Sequence, residues 1–180
     1  MLENYQRSLP ETLIMILKNI KKNFYTSLIV SVFIFIIDRT SKLYVINLSK
    51  NSYDTELFSS EFLNITLIWN EGIAFGLFSV SHEYWYNFLT IIIVLTAIFI
   101  LIMSTKHNGM QKYFLLLVFG GALGNLYDRI FFKAVPDFID LHVGNFHWFV
   151  FNIADIFITF GVIMLILWEI LPLNKNYEKK

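Results

Sequence analysis

The sequence predicts an all-α, polytopic membrane protein with four transmembrane helices and a small β element in the outer-face loop between the first two helices. Its composition is 56% hydrophobic and 16% charged, whereas soluble domains carry about 25% charged residues. Four apolar segments each approach the ~20 residues that a helix needs to cross a bilayer. Lys and Arg residues also cluster on one side of these segments, as the positive-inside rule describes.

Residues 1–23 are predicted to form a cytoplasmic tail or a helix lying at the membrane interface. Their one apolar run, Leu13 to Leu17, is short and is followed by Lys18, Lys21 and Lys22. Because no small-residue cleavage site follows this run, it does not fit a removable signal peptide. An amphipathic interfacial helix and a disordered tail are both compatible with the pattern.

Residues 24–171 are predicted to form the membrane domain, and residues 172–180 a second cytoplasmic tail. The four helices are expected at about 24–46, 84–103, 113–132 and 149–171. Few segments alternate between apolar and polar residues for long enough to build a membrane barrel. Helices are therefore the remaining way to satisfy backbone hydrogen bonds in lipid.

The outer loop, residues 47–83, is too long to be a simple turn. Residues 61–70 alternate partly between apolar and polar side chains, which predicts one or two short strands. The run from Asn70 to Gly76 is predicted to be a turn or bulge, because Gly72 and Gly76 tolerate strained backbone conformations.

The basic residues predict that both chain termini and the loop between helices two and three are cytoplasmic. Nine Lys and Arg residues lie on that side, namely Arg7, Lys18, Lys21, Lys22, Lys106, Lys112, Lys175, Lys179 and Lys180. Five lie on the other side, namely Arg39, Lys42, Lys50, Arg129 and Lys133. Because Lys and Arg near the helix ends set orientation, the polar residues discussed next are expected at the outer face.

Two aspartates are the candidates for proton-transfer chemistry. Asp155 is expected near the outer end of helix four, with Asn152 one turn before it on the same face. Asp137 is expected in the preceding loop, where Pro136 favours an extended conformation at Val135. Two carboxylates in a site of low dielectric constant tend to share one proton, so one can deprotonate a water while the other protonates a carbonyl. The structural alternative is a pair of helix-cap or salt-bridge aspartates.

Helix three carries a second polar group. Asn125 and Arg129 lie four residues apart on one helical face, and Arg129 is placed to extend toward the membrane interface. These side chains could anchor lipid or peptide oxygens, or an Asp128–Arg129 pair could orient the helix ends. Gly120 and Gly124 form a small-xxx-small pattern, which predicts close helix packing.

The remaining charged and histidine residues predict structure more than chemistry. Asp38 and Lys42 form an i,i+4 pair that favours a structural ion pair. His142 and His147 could be drawn as metal ligands with the two candidate aspartates, but their spacing matches no recognised zinc motif. The sequence therefore predicts no metal and no cofactor. Its net charge of zero gives no reason to expect nucleic acid as a partner.

Five ordered motifs together resemble the bacterial lipoprotein signal peptidase (signal peptidase II) family between about Ile29 and Leu171. The motifs are Asp38–Lys42, Asn70–Gly76, Gly120–Arg129, Val135–Asp140 and Phe151–Asp155. The resemblance implies an intramembrane aspartic endopeptidase of the bacterial inner membrane. Such an enzyme removes the signal peptide of diacylglyceryl-modified prolipoproteins, cutting before the lipid-modified Cys. The resemblance also implies a small periplasmic sheet between helices one and two.

The resemblance further implies roles for individual residues. The family's catalytic aspartates fall on Asp137 and Asp155. The residues expected to bind substrate or support the site are Asn70, Gly72, Asn125, Arg129, Asn152, Asp38 and Lys42. The implied partners are the prolipoprotein and membrane lipids, with no obligate protein partner. The chain departs from the family pattern at Pro136, at Phe149–Val150 and in its N-terminal extension.

A small proton-coupled transporter that uses the same aspartates as a relay is the alternative from another functional class. Proton relays place ionisable residues through the depth of the membrane. The apolar segments at about 84–103 and 113–132 are almost wholly apolar at mid-membrane. This pattern favours the peptidase interpretation, in which the chemistry lies at the outer ends of the helices.

Overall fold

The described part of the chain folds into four α-helices and one four-stranded antiparallel sheet. This computed structural model describes residues 11–52, 56–72 and 83–171. In chain order the elements are α1 (Glu11–Lys50), β1 (Glu56–Ser59), β2 (Leu63–Asn70), α2 (Glu83–Lys106), α3 (Met110–Phe132), β3 (Val135–Val143), β4 (Phe146–Phe151) and α4 (Ile153–Ile170). The C-terminal tail predicted at 172–180 and part of the turn predicted at 70–76 lie outside the described residues.

The helices α2 and α3 begin and end within three residues of their predicted bounds, whereas α1 and α4 differ more. Helix α1 begins at Glu11. It therefore includes most of residues 1–23, which were expected to form a tail or a separate interfacial helix. Neither Pro nor Gly interrupts residues 11–50, and Lys, Leu and Ile are compatible with helix. Helix α4 begins at Ile153, four residues later than expected, because residues 146–151 form a strand.

Among the described residues, three helices are long and apolar enough to cross a membrane. They are Tyr84–Lys106 in α2, all of α3 and all of α4. Half of the apolar window of α3 is buried, against 11% of the windows of α2 and α4. Helix α3 is therefore the central helix, and it packs against each of the other three.

Small residues let the central helix approach its neighbours closely, as the small-xxx-small pattern predicted. A Cβ added at Gly120 would lie 2.9 Å from Cβ of Ile34, and one added at Gly124 would lie 2.4 Å from Oδ2 of Asp38. A Cβ at Gly121 would meet the backbone carbonyl oxygen of Ala154 at 2.6 Å. These contacts bring α1 and α4 against α3 at the level of the polar residues.

The sheet has the strand order β1-β2-β3-β4, with every neighbouring pair antiparallel. The strands predicted within residues 61–70 are present as β2, with β1 beside it. The strands β3 and β4 were expected to be a loop and the start of a helix. Residues 146–151 are mostly apolar, and an apolar run of this length does not distinguish a strand from a helix. The sheet thus joins the connection after α1 to the segment between α3 and α4.

Candidate active site

Asp137 and Asp155 approach one site from different elements and are linked through Asn152. Asp137 lies near the start of β3, and Asp155 lies in the first turn of α4. Nδ2 of Asn152 donates to Oδ1 of Asp137 at 2.6 Å. The backbone N–H of Asn152 donates to Oδ2 of Asp155 at 3.1 Å. One asparagine therefore positions both carboxylates.

The link exists because Asn152 is the N-cap of α4 rather than a residue one turn inside a helix. Its Oδ1 accepts the backbone N–H of Asp155 at 3.2 Å, while the Asp155 carboxylate accepts the N–H of Asn152. This reciprocal arrangement is a capping box, which satisfies two backbone donors that a helix start leaves open. The amide nitrogen of Asn152 is left to bind Asp137.

Two further asparagines complete the hydrogen bonds to the carboxylates. Nδ2 of Asn70, at the end of β2, donates to Oδ2 of Asp137 at 2.8 Å. Nδ2 of Asn125, on α3, donates to Oδ1 of Asp155 at 2.8 Å. The sequence-predicted residues Asn70, Asn125 and Asn152 thus each contact a candidate aspartate.

The environment of Asp137 favours its protonated form. Burial and, second, the negative charge of Asp155 raise the pKa of the Asp137 carboxyl from 3.8 to about 6. Hydrogen bonds from Asn70 and Asn152 oppose the rise of the pKa, because they stabilise the carboxylate. A group with this pKa can hold a proton and release it close to neutral pH.

A second cluster of buried charges lies beside the aspartates, between α1 and α3. Nζ of Lys42 donates to Asp38 at 2.8 Å, to Asn125 at 2.8 Å and to Asp128 at 2.7 Å. All three ammonium protons are therefore used. Arg39 pairs with the other oxygen of Asp128, so the cluster holds two positive and two negative groups. The predicted Asp38–Lys42 ion pair is confirmed.

The partners of Asp128 and Arg129 differ from the pair that the sequence suggested. Asp128 binds Arg39 and Lys42 across the helix interface, whereas Arg129 donates from Nη2 to the carbonyl oxygen of Gly72 at 2.7 Å. The two side chains leave a helix in different directions because adjacent residues are about 100° apart. Arg129 is also buried rather than extended toward the interface. Sequence reasoning missed the contribution of Arg39, although it belongs to the first motif.

The Gly72 backbone joins Arg129 to Asp137 through a short relay of hydrogen bonds. The carbonyl oxygen of Gly72 accepts from Arg129, and its N–H donates to Oδ1 of Asn70 at 2.9 Å. Asn70 in turn donates to Asp137. Arg129 and Gly72 thus support the position of one candidate aspartate from a distance.

Asp38 also stabilises the start of α4. Oδ1 of Asp38 accepts the backbone N–H of Ala154 at 3.0 Å, one of the open donors at the start of α4. A carboxylate is also favoured there by the helix dipole. The first motif therefore fixes the helix end that carries Asp155.

Both aspartates open onto a cavity of about 830 Å³. Its polar lining includes Asn70, Asn125 and Arg129, and most of the remaining lining is aliphatic or aromatic. The aromatic part comes largely from the β3–β4 hairpin, with Phe146 and Trp148 more than half exposed. The cavity can therefore hold the apolar part of a ligand against its aromatic wall and a polar part beside the two aspartates.

The two histidines do not gather around the candidate aspartates as a metal site would require. Within the described ranges, His142 and His147 instead lie with Asp140, a residue that the sequence interpretation did not single out. Nδ1 of His147 is 2.8 Å from Oδ2 of Asp140. This group lies farther along the hairpin than Asp137.

Comparisons with known proteins agree on one family. The family model described as Signal peptidase (SPase) II matches residues 30–171. A lipoprotein signal peptidase of Pelagibacter ubique (strain HTCC1062) is 52% identical over 159 residues, covering 88% of this chain and 96% of the relative. A lipoprotein signal peptidase of Anaplasma phagocytophilum (strain HZ) is 44% identical over 138 residues, covering 74% and 85%.

Two solved structures share the fold, and both are described as bacterial membrane enzymes determined by the in meso method. The first, at 2.3 Å resolution, has a TM-score of 0.64 and 35% identity, covering 86% of this chain and 92% of the other. The second, at 1.9 Å resolution, has a TM-score of 0.63 and 34% identity, covering 82% and 94%. At these identities the likeness extends beyond the fold to the sequence.

Proposed function

The chain belongs to the signal peptidase II family and is an aspartic endopeptidase that removes signal peptides from prolipoproteins, and we propose that Asp137 and Asp155 are its catalytic pair. The observation that carries this proposal is the hydrogen-bonding of both carboxylates to Asn152. It brings two acidic groups from separate elements to one cavity, as a shared-proton mechanism requires.

In this mechanism Asp155 is the general base and Asp137 the general acid. Asp155 takes a proton from a water molecule, and the hydroxide attacks the scissile carbonyl carbon while Asp137 protonates the carbonyl oxygen. The resulting gem-diol then loses its proton to Asp137. Asp155 passes its proton to the amide nitrogen, the C–N bond breaks, and the pair returns to its starting protonation state. The raised pKa of Asp137 supports its role as the acid.

The substrate that fits the cavity is a diacylglyceryl-modified prolipoprotein, cleaved before the lipid-modified Cys. The apolar lining from the hairpin suits acyl chains, and Asn70, Asn125 and Arg129 lie beside the reacting end. Burial of acyl methylene groups contributes about 0.8 kcal/mol each. We therefore assign lipid selection to the hairpin wall and peptide positioning to the polar wall.

We further propose that α1 is the fourth membrane span. Its outer half carries Asp38, Arg39 and Lys42, which would oppose insertion if they faced lipid. Asp38 and Lys42 are fully buried, and both basic residues bind Asp128. Internal pairing offsets part of the cost of placing these groups at the edge of the hydrocarbon region.

Both termini then lie in the cytoplasm, and the catalytic pair lies near the outer face of the bacterial inner membrane. The chain contains no cysteine, so single cysteines at Ser52 and Lys106 can report this topology. A membrane-impermeant maleimide added to intact spheroplasts should label Ser52→Cys and leave Lys106→Cys unlabelled. Labelling of Lys106→Cys alone would reverse the orientation.

Cleavage of a purified diacylglyceryl-modified prolipoprotein tests the catalytic assignment. Asp137→Asn and Asp155→Asn should each abolish cleavage and keep the fold, as judged by circular dichroism in detergent. Glu169→Gln, at the exposed far end of α4, is the matched control and should cleave normally. Cleavage should also persist in EDTA, because the pair supplies acid and base without a metal. Turnover by a folded Asp155→Asn protein contradicts the assignment.

The transporter alternative is not supported by the comparisons, in which the family model and the curated relatives are signal peptidases. Apart from Lys112 near the start of α3, the buried charges on the helices of the described residues lie at one end of the bundle, with Asp38, Lys42 and Asp128 beside the first turn of α4. A proton relay needs groups along the membrane depth.

A further inference from the structure

We propose that Asp140, His142 and His147 form a binding site for a divalent cation of the zinc type on the β3–β4 hairpin. The three residues each offer one ligand atom, and these atoms lie within 4.8 Å of one another. Two imidazoles and one carboxylate make up a ligand set that Zn²⁺ accepts readily, whereas Mg²⁺ and Ca²⁺ prefer oxygen ligands alone. The inference does not rest on the proposed catalytic pair.

The backbone of the hairpin holds the three side chains on one face. His142 and His147 are direct partners across the strands, and such pairs place their Cβ atoms close together. Asp140 lies two residues before His142 on β3. The β3–β4 register shifts between them, but the extra residue is on β4, so the alternation along β3 still places both side chains on one face. The two-residue turn contains Gly144 with φ +57°, the conformation that tight hairpins use. The spacing is therefore fixed by strand pairing rather than by a loose loop.

Unpaired hydrogen-bonding atoms in this cluster are available to a ligand. Asp140 is only 7% exposed, and its Oδ1 has no hydrogen-bond partner among the described residues. Nδ1 of His142 is likewise buried without a partner there. Buried polar atoms in native proteins are normally paired. A cation would use the lone pairs of both atoms.

The third ligand gives the site an opening to solvent. The side chain of His147 is 53% exposed, and its Nδ1 already lies 2.8 Å from Oδ2 of Asp140. The two imidazole rings stack with centroids 5.0 Å apart at 20°. With bonds of about 2.0–2.2 Å to each ligand, the rings must turn about χ2 to face one ion. His147, whose side chain is 53% exposed, has room for such a turn.

An ion at this position would join β3 to β4 farther along the hairpin than Asp137. His142 also lines the cavity beside Phe146 and Trp148. Binding would therefore stiffen the apolar wall of the cavity without touching Asp137 or Asp155.

Titration with Co²⁺ and with Zn²⁺ tests the site, using full-length protein purified in detergent with a tag that lacks histidine. The wild type should bind one ion per chain with the visible absorption of a tetrahedral Co²⁺ complex. His142→Gln and His147→Gln should each weaken binding by at least about tenfold, the low end of what loss of even an outer-shell partner typically costs. His107→Gln, at the end of α2 beside Met103, removes the same number of histidines and should bind like the wild type.

Thermal unfolding separates a specific site from general metal association. Zn²⁺ should raise the unfolding temperature of the wild type and of His107→Gln, because an ion that binds only the folded state stabilises it. It should leave His142→Gln and His147→Gln unchanged. Equal affinity for Co²⁺ or Zn²⁺ in all four proteins, or no ion bound by the wild type, overturns the proposal.

Discussion

Lys42 on α1 and Asp128 on α3 form a buried ion pair with Nζ and Oδ2 2.7 Å apart. Neither side chain has measurable solvent exposure. Lys42 also binds Asp38 and Asn125, so its charge is compensated and each of its protons is used. The pair ties the first motif to the helix that carries Asn125 and thereby to Asp155.

Replacing Lys42 with Met should destabilise the fold by about 3–5 kcal/mol, the effect of removing one partner from a buried ion pair. Met fills most of the space but leaves Asp38 and Asp128 without their shared cation. Lys50→Met, at the exposed end of the same helix, should change the free energy of unfolding by less than about 0.5 kcal/mol. Denaturant titration in micelles measures both. Equal stability of the two variants would contradict a supporting role for Lys42.

Replacing Asn152 by Ala and by Ser should separate its two functions, the N-cap of α4 and the hydrogen bond to Asp137. Asn152→Ala removes the N-cap, which costs about 0.5–2 kcal/mol of stability, and it removes the donor to Asp137. Asn152→Ser keeps an oxygen that can accept the N–H of Asp155 but has no amide to reach Asp137. Stability should therefore recover in the Ser variant while turnover stays low. Full turnover by the Ser variant would mean that the contact with Asp137 is not used.

Helix positions in this chain could be predicted where the apolar pattern alone decides them. Helices α2 and α3 followed from long runs of Ile, Leu, Val and Phe. Strands β3 and β4 could not, because a strand of this composition forms only when a partner supplies its hydrogen bonds. Here β2 pairs with β3 and places Ile68 opposite Asp137. Local sequence cannot predict this pairing, because β2 and β3 are far apart in the chain.

The candidate site was predictable as a set of residues but not as a set of contacts. The motifs brought Asn70, Asn125 and Asn152 together with the aspartates, and each does bind one. The partners of Asp128 could not be predicted, because they come from a helix about 90 residues away and depend on the crossing of α1 and α3. The start of α4 was placed too early, which concealed the N-cap role of Asn152.

Arg129→Ala should lower kcat/KM mainly through KM, by an amount equivalent to about 1.5–3 kcal/mol. Arg129 lines the cavity beside Asn125, so its loss removes a cationic side chain that positions the substrate, while Asn152 still donates to Asp137. Lys133→Gln, which removes an exposed charge directly after α3, is the control and should have little effect. Steady-state kinetics separate KM from kcat. An unchanged KM with a lost kcat would instead place Arg129 in the chemical step.

Asp155→Asn should lower the pKa of Asp137 from about 6, because the charge of Asp155 is the second cause of its raised value after burial. Burial remains in the variant, so the pKa should stay above 3.8. Carboxyl ¹³C chemical shifts of labelled aspartate, followed against pH, measure this change. Glu169→Gln, far along α4, should leave the Asp137 titration in place. A pKa of Asp137 that does not move in Asp155→Asn would show that the two carboxylates are not coupled.

The same raised pKa determines how stability depends on pH. Between about pH 4 and pH 6 the folded protein holds a proton on Asp137 that the unfolded chain has released. The unfolded state then binds fewer protons, so the free energy of unfolding should fall as pH rises through this window. The contribution of Asp137 alone corresponds to about 3 kcal/mol. Asp137→Asn removes this titration, so unfolding curves recorded from pH 4 to pH 7 should show a smaller decrease for the variant. An identical pH dependence in both proteins would exclude burial of a protonated Asp137.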